Sequence, residues 1–205
     1  MPAKSLLTVS NHLRAEATEL LKATGIQGRL EQFGHVTPIG SYVYKVMVAR
    51  DIDFHVIVAE LTPKLASVFF SDLVQAGQFE SIIFHDKHAF NSEAAARYAS
   101  KKALDSYYFG LRCEFNSHEW QIGVNFITQP QLAALEITKL FDQANDDQRA
   151  QILELKTLMQ RSGRKVSSAY IYRAVLEHDI HTEAKLFAYL ETIGYKFLDC
   201  KPVQT

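Results

Sequence analysis

Cysteine is scarce in this chain. Cys113 and Cys200 are the only two in 205 residues. One pair cannot build the disulfide framework of a small secreted scaffold, and a reducing cytoplasm fits such usage. Charge of either sign is not in excess. Lys and Arg number 22 against 23 Asp and Glu, a formal charge of −1. A broad basic face for gripping a phosphate backbone is therefore not expected, and on this count nucleic acid is not an expected partner. No apolar run approaches the length of a membrane span, so no membrane partner is expected either. The opening stretch, Met1 to Ser10, has too short an apolar segment for a signal peptide. There is no repeat and no low-complexity segment. What is there, 47% hydrophobic and 22% charged residues, is the composition of a globular protein long enough for one large domain or two small ones.

The informative segment is residues 39–58. A Gly40-Ser41 pair ends one apolar run, and Asp51-Ile52-Asp53 opens another that continues through Val56, Ile57 and Val58. Alternate side chains of a strand share a face, so Asp51 and Asp53 point the same way, close together. Two carboxylates so placed repel unless a cation lies between them. Mg²⁺ suits, since it takes hard oxygen ligands and leaves positions open for phosphate oxygens. A plainer reading stands beside this one: Gly-Ser is an ordinary turn, and Asp51 follows Arg50 in a solvated loop.

The rest of the chain divides in character. Ser10 is expected to cap a helix over Asn11–Ala23 that Gly25 ends. Phe33–Ile39 reads as a short strand which Pro38 confines to an edge. Residues Tyr42–Val48, β-branched and aromatic, read as extended or hairpin-like. Asp51–Ala59 reads as a clear strand. Thr62-Pro63 signals a helix start and Gly77 its stop. Strands are expected over Phe79–Phe84, Tyr107–Phe115 and Trp120–Ile127, the last two joined through an Asn116-Ser117-His118 turn. A helix is expected over Glu93–Leu104, capped by Asn91 or Ser92. From Gln129 onward strand patterns vanish. Four helices are expected there, with Pro130, Gln148, Ser167 or Ser168, and Thr182 at or near their starts. The fold class is thus α+β, with an α+β domain over residues 1–128 and an all-helical domain over 129–205.

Residues 39–58 resemble the signature of the nucleotidyltransferase superfamily, the fold of DNA polymerase beta and of small antibiotic nucleotidyltransferases. There a Gly-Ser turn is followed, after roughly ten residues, by Asp-x-Asp, as Gly40-Ser41 and Asp51-Ile52-Asp53 are here. The resemblance implies a mixed sheet flanked by helices and binding of a nucleoside triphosphate with Mg²⁺ (or Mn²⁺). It implies attack of an acceptor hydroxyl on the α-phosphate, with Asp51 and Asp53 as the catalytic, metal-holding pair and Gly40 and Ser41 on the phosphates. Lys45 and Arg50 lie between the two motif halves, and Arg50, beside Asp51, is the better candidate to meet a triphosphate. The acceptor, the base and the oligomeric state are not indicated.

The superfamily adds a third acid on a neighbouring strand, which helps hold metal and accepts the proton of the attacking hydroxyl. The matching strand is Trp120–Ile127. Trp120, Ile122, Val124 and Phe126 are expected on its core face, and Gln121, Gly123 and Asn125 on its active face. The acid's position is Gly123, which has no side chain. Asn125 offers a carbonyl but no base. Glu119 has the correct parity but lies roughly 13 Å along the strand. Three outcomes stay open: a transferase with an unusual third ligand, a nucleotide-binding or regulatory module of the same fold that no longer catalyses, or a different strand alignment.

Other groups carry weaker signals. His55 shares the aspartates' face and is expected to be a packed or half-exposed strand residue rather than a phosphate contact. His85-Asp86-Lys87-His88 has ligand types without zinc-finger spacing and reads as an exposed loop. Tyr107-Tyr108-Phe109 offers rings on which a base could stack, although alternating strand packing accounts for it as well. Lys101-Lys102 and the basic stretch 161–165 read as solvated surface.

Overall fold

The computed structural model describes residues 3–87, 105–130, 132–164 and 166–195. Helix α1 (Ala3–Thr24) and the short α2 (Ile26–Glu31) lead into strand β1 (His35–Ile39). A single helical turn, α3 (Ser41–Tyr44), precedes β2 (Asp51–Ile57), and α4 (Pro63–Ala76) precedes β3 (Ser81–Asp86). Strands β4 (Tyr107–Phe115) and β5 (His118–Ile127) form a hairpin. Helices α5 (Leu132–Asp142), α6 (Asp146–Arg161), α7 (Ser168–His178) and α8 (Glu183–Thr192) complete the described chain.

The strands form one mixed sheet in the order β1-β2-β5-β4-β3. Only the β2–β5 pairing is parallel. Pro38 lies in β1, an edge strand, where a missing N–H costs no ladder bond. At the β4–β5 turn, Asn116 and Ser117 both take positive φ, 50° and 60°, the backbone that a two-residue hairpin needs. The core face of the sheet carries Ile52, Phe54, Val56, Trp120, Ile122, Val124 and Phe126, all with no exposed surface. Phe69 of α4 meets Phe109 at 4.9 Å and Phe126 at 5.0 Å between ring centroids, which seats this helix on that face. The local signals for α4 work as read: Thr62 Oγ1 accepts from the Leu65 N–H at 3.1 Å, Pro63 occupies the first turn, and Gly77 closes it at φ 63°.

The chain forms two compact units. One holds the sheet, with residues 15–43 and 49–131. The other holds the C-terminal helices together with residues 1–14 and 44–48. In this second unit the Tyr44 ring stacks on Phe141 at 4.2 Å, and its hydroxyl is 3.0 Å from that of Thr138. The carbonyls that follow are each met by a side chain. Arg149 Nε donates to Tyr44 O at 3.4 Å, Ser10 Oγ to Lys45 O at 3.0 Å and Lys156 Nζ to Val46 O at 2.8 Å.

These contacts correct two expectations. Residues 42–48 are not extended. Ser41–Tyr44 is a helical turn, Lys45 takes φ 61°, and the apolar character of Tyr44, Val46 and Met47 reflects burial among helices, not pairing in a sheet. Ser10 is not a cap either. It lies within α1, fully buried, and its hydroxyl also accepts from the Met47 N–H at 2.9 Å. A side chain with a tertiary partner at hand is not held to the start of a helix. The helix expected over 93–104, its caps Asn91 and Ser92, and Lys101-Lys102 lie outside the described residues.

Candidate nucleotide and metal site

The antiparallel register of β1 and β2 sets Ile39 opposite Asp53, so the bend that follows Ile39 begins beside that carboxylate. Gly40 turns the chain there at φ 75°, a conformation that side chains disfavour. A Cβ at Gly40 would stand 3.4 Å from Asp53 Oδ2. Two halves of the motif, separated in sequence, thus meet at van der Waals distance. On the other side, the parallel register pairs Asp51 with Gln121, Asp53 with Gly123 and His55 with Asn125. A Cβ at Gly123 would collide with Asp53 Oδ1. The Asp53 carboxylate therefore fills the space between two glycines and depends on both lacking side chains.

Strand β4 continues this face. Gly110 lies opposite Gly123, and Tyr108 opposite Asn125. The Tyr108 ring leans over both glycines: its hydroxyl is 3.2 Å from where a Gly110 Cβ would be, and its Cε2 is 3.5 Å from where a Gly123 Cβ would be. Burial together with Asp53 and Asp51 pushes the Tyr108 phenol up, against a hydrogen bond with the Gln121 side chain. Lys87, just past β3, rests its ammonium 4.6 Å from the centre of the Tyr108 ring. Burial pulls the Lys87 pKa down, and Asp53 opposes that pull. His55 is 6% exposed, and its burial lowers its pKa to about 4, so it is a neutral, packed strand residue at pH 7.

The other expected residues fall as follows. Arg50 precedes Asp51 and so turns to the other side of the ladder, with its guanidinium 6.0 Å from the centre of the Trp120 ring and 3.1 Å from the buried carboxylate of Glu16. Glu119 points into solvent, 3.5 Å from Arg112. Cys113 is buried and has no disulfide, and Cys200 lies outside the described residues. His88 lies outside them as well. Among the described residues no three His, Cys, Asp or Glu side chains converge as metal ligands.

The donor set fits one hard cation. Asp51 and Asp53 supply two carboxylates on one face, and phosphate oxygens would complete the shell, the usual arrangement for Mg²⁺. Among the described residues no third carboxylate joins these two to hold a second cation. The positions that would hold it present Gln121, Gly123 and Asn125 on β5, and Tyr108, Gly110 and Arg112 on β4. None of them is an acid. The parallel pairing of β2 with β5 sets Gly123, which has no side chain, directly opposite Asp53.

No family model matches this sequence, and no curated protein does. Solved structures match in fold. The Cid1 poly(U) polymerase bound to MgATP aligns with a TM-score of 0.59 and 16% identity, over 88% of this chain and 56% of that one. The fold is nucleotidyltransferase-like. A cytoplasmic RNA terminal U-transferase aligns at 0.55 and 14%, over 87% of this chain and 55% of that one. The non-canonical poly(A) polymerase GLD-2, in complex with GLD-3, aligns at 0.50 and 13%, over 84% and 52%. This chain thus spans little more than half the length of these nucleotidyltransferase-fold structures. The expectation that nucleic acid is not a partner finds no support among them, since one is an RNA terminal transferase. Among the described residues no helix is long and apolar enough to cross a membrane.

Proposed function

We propose that this protein binds a nucleoside triphosphate with one divalent cation, and that its capacity for nucleotidyl transfer is disabled at Gly123. The observation that carries the proposal is the register of β2 and β5, which sets Gly123 directly beside Asp53 with a second glycine, Gly110, on the next strand. Binding needs what the face retains: two carboxylates for the metal, and the Gly40-Ser41 bend for phosphate, where a backbone without Cβ permits close approach. The cation, Mg²⁺ or Mn²⁺, would neutralise phosphate charge between Asp51 and Asp53. Transfer needs more, namely a base for the attacking hydroxyl and a firm hold on the metal that activates it. Among the described residues the β4 and β5 side chains facing Asp53 include no carboxylate to supply either. Such a module would act in the cytoplasm as a nucleotide-responsive binding or regulatory protein.

A second reading is favoured by the intact meeting of Gly40 with Asp53. In it the protein is a transferase that moves a nucleotidyl group to an acceptor hydroxyl, with the base supplied by the acceptor or by solvent. Two measurements separate the readings. Titration calorimetry with each of ATP, GTP, CTP and UTP and Mg²⁺ or Mn²⁺ should give metal-dependent heat that Asp53→Asn removes. Heat from none of them, with folded protein, refutes both readings. Transfer of radiolabel to any acceptor, lost in Asp53→Asn, establishes the second reading and eliminates the first.

A further inference from the structure

A triphosphate carries more negative charge than one divalent cation neutralises, and among the described residues this face offers no third carboxylate for another. A basic side chain beside the phosphates can supply the compensating charge. Among the described residues the cations next to these strands are few. Arg50 is committed to Glu16 on the core side of the ladder, and Arg112 is paired with Glu119 toward solvent. Lys87 differs from both. It is half-buried, its ammonium lies on the Tyr108 ring, and it is in the field of Asp53. Among the described residues no carboxylate forms an ion pair with it. Its position is fixed from below, since its N–H donates to Ser106 O at 3.0 Å and so continues the β3–β4 ladder. The ring beneath is fixed too, because it lies over Gly110 and Gly123 and packs near-parallel to His85 at 5.9 Å. A cation lying on an aromatic face keeps its charge while losing water, and so is ready to meet an anion.

From this arrangement we infer that Lys87, carried on Tyr108, is a phosphate-binding residue for the nucleoside triphosphate at the Asp51–Asp53 face. The inference rests on the proposed binding of a triphosphate there. Tyr108 has a double part in it. Its ring covers the glycine at which a third acid would have stood, and it holds the ammonium that replaces the charge of the absent second metal. The site is thereby rebuilt for holding a triphosphate with one cation.

The experiment is calorimetry of ATP and of AMP with Mg²⁺ on the full chain, in the wild type and in Lys87→Met, Lys87→Arg, Tyr108→Leu and Asp53→Asn. Thermal melting checks that each variant is folded. Lys87→Met should weaken ATP at least about tenfold while leaving AMP binding within about twofold, since a charged hydrogen bond to the outer phosphates is lost. Lys87→Arg should recover most of that loss. Tyr108→Leu should reproduce part of it, because the ammonium loses its platform. Lys87→Met binding ATP as tightly as the wild type, while Asp53→Asn does not bind, overturns this inference and leaves the proposed function standing. Equal losses for ATP and AMP in Lys87→Met overturn it also, as they place the lysine away from the outer phosphates. Absence of binding in the wild type overturns both.

Discussion

Restoring an acid at position 123 is the sharpest test of the site. In Gly123→Asp the new Cβ would meet Asp53 Oδ1 at once, so the Asp53 side chain must rotate, which is feasible because the clashing atom is a carboxylate end and not backbone. The Tyr108 ring, at 3.5 Å from that Cβ, can stay where it is. The steric part is shared by Gly123→Asn, which has the same shape and no charge. The difference between the two variants is then electrostatic. Two carboxylates about 4 Å apart at an effective dielectric constant of about 20 repel by about 4 kcal/mol, and the open face reduces this to about 2 kcal/mol. For a chain of this size that is about 4–8 °C in melting temperature. In EDTA the Asp variant should melt lower than the Asn variant by that amount. Millimolar Mn²⁺ should reverse the order, since a cation between the acids converts repulsion into binding. Radiolabel transfer from a triphosphate should appear in the Asp variant and not in the Asn variant. If the two variants melt together, both in EDTA and in Mn²⁺, position 123 does not face Asp53 and the site is misassigned.

Three further outcomes are expected. His55 is neutral when folded, with a pKa of about 4 against 6.5 for the free side chain, so the unfolded chain takes up protons first as pH falls. Its contribution is complete above about pH 6.5 and is lost toward pH 4, by up to about 3 kcal/mol, and urea titrations should show that slope shrink in His55→Gln. Lys156→Met should lower stability by about 2 kcal/mol with an unchanged urea m-value, because it strands the buried carbonyl of Val46; a loss under 0.5 kcal/mol would show that the carbonyl has another partner. Arg50→Met should cost about 2 kcal/mol by leaving the Glu16 carboxylate buried and unpaired, yet leave MgATP affinity unchanged in calorimetry. An affinity loss of tenfold would return Arg50 to the phosphate site.

Strand parity made most of the sheet legible. The two-residue period placed Trp120, Ile122, Val124 and Phe126 in the core and Gln121, Gly123 and Asn125 on the opposite face, and all of these lie as expected. Capping chemistry did the same for α4, and for α8, where Thr182 Oγ1 accepts from the Lys185 N–H at 3.4 Å. Residues 42–48 misled because β-branched and aromatic residues mark burial as readily as they mark strands. Their partners, Phe141, Arg149 and Lys156, are about a hundred residues away and leave no local trace. Arg50 shows the limit of adjacency: one residue from Asp51 in the chain is the other side of the ladder in space. Lys87 could not be found from the motif. The signal was the parity of Tyr108 with Gly110, which only the β4–β5 register connects to Gly123.

Residues 44–48 join the two halves of the signature, yet they are gripped by helices that follow much later in the sequence. A fragment ending after β5 would therefore lack most of the side chains that seat its own loop, leaving Tyr44 and Val46 uncovered and two carbonyls, those of Tyr44 and Val46, without their donors. The C-terminal helices are consequently not an interchangeable attachment. Grafting them onto a related sheet, or exchanging them for another partner layer, would require carrying residues 1–14 and 44–48 along with them.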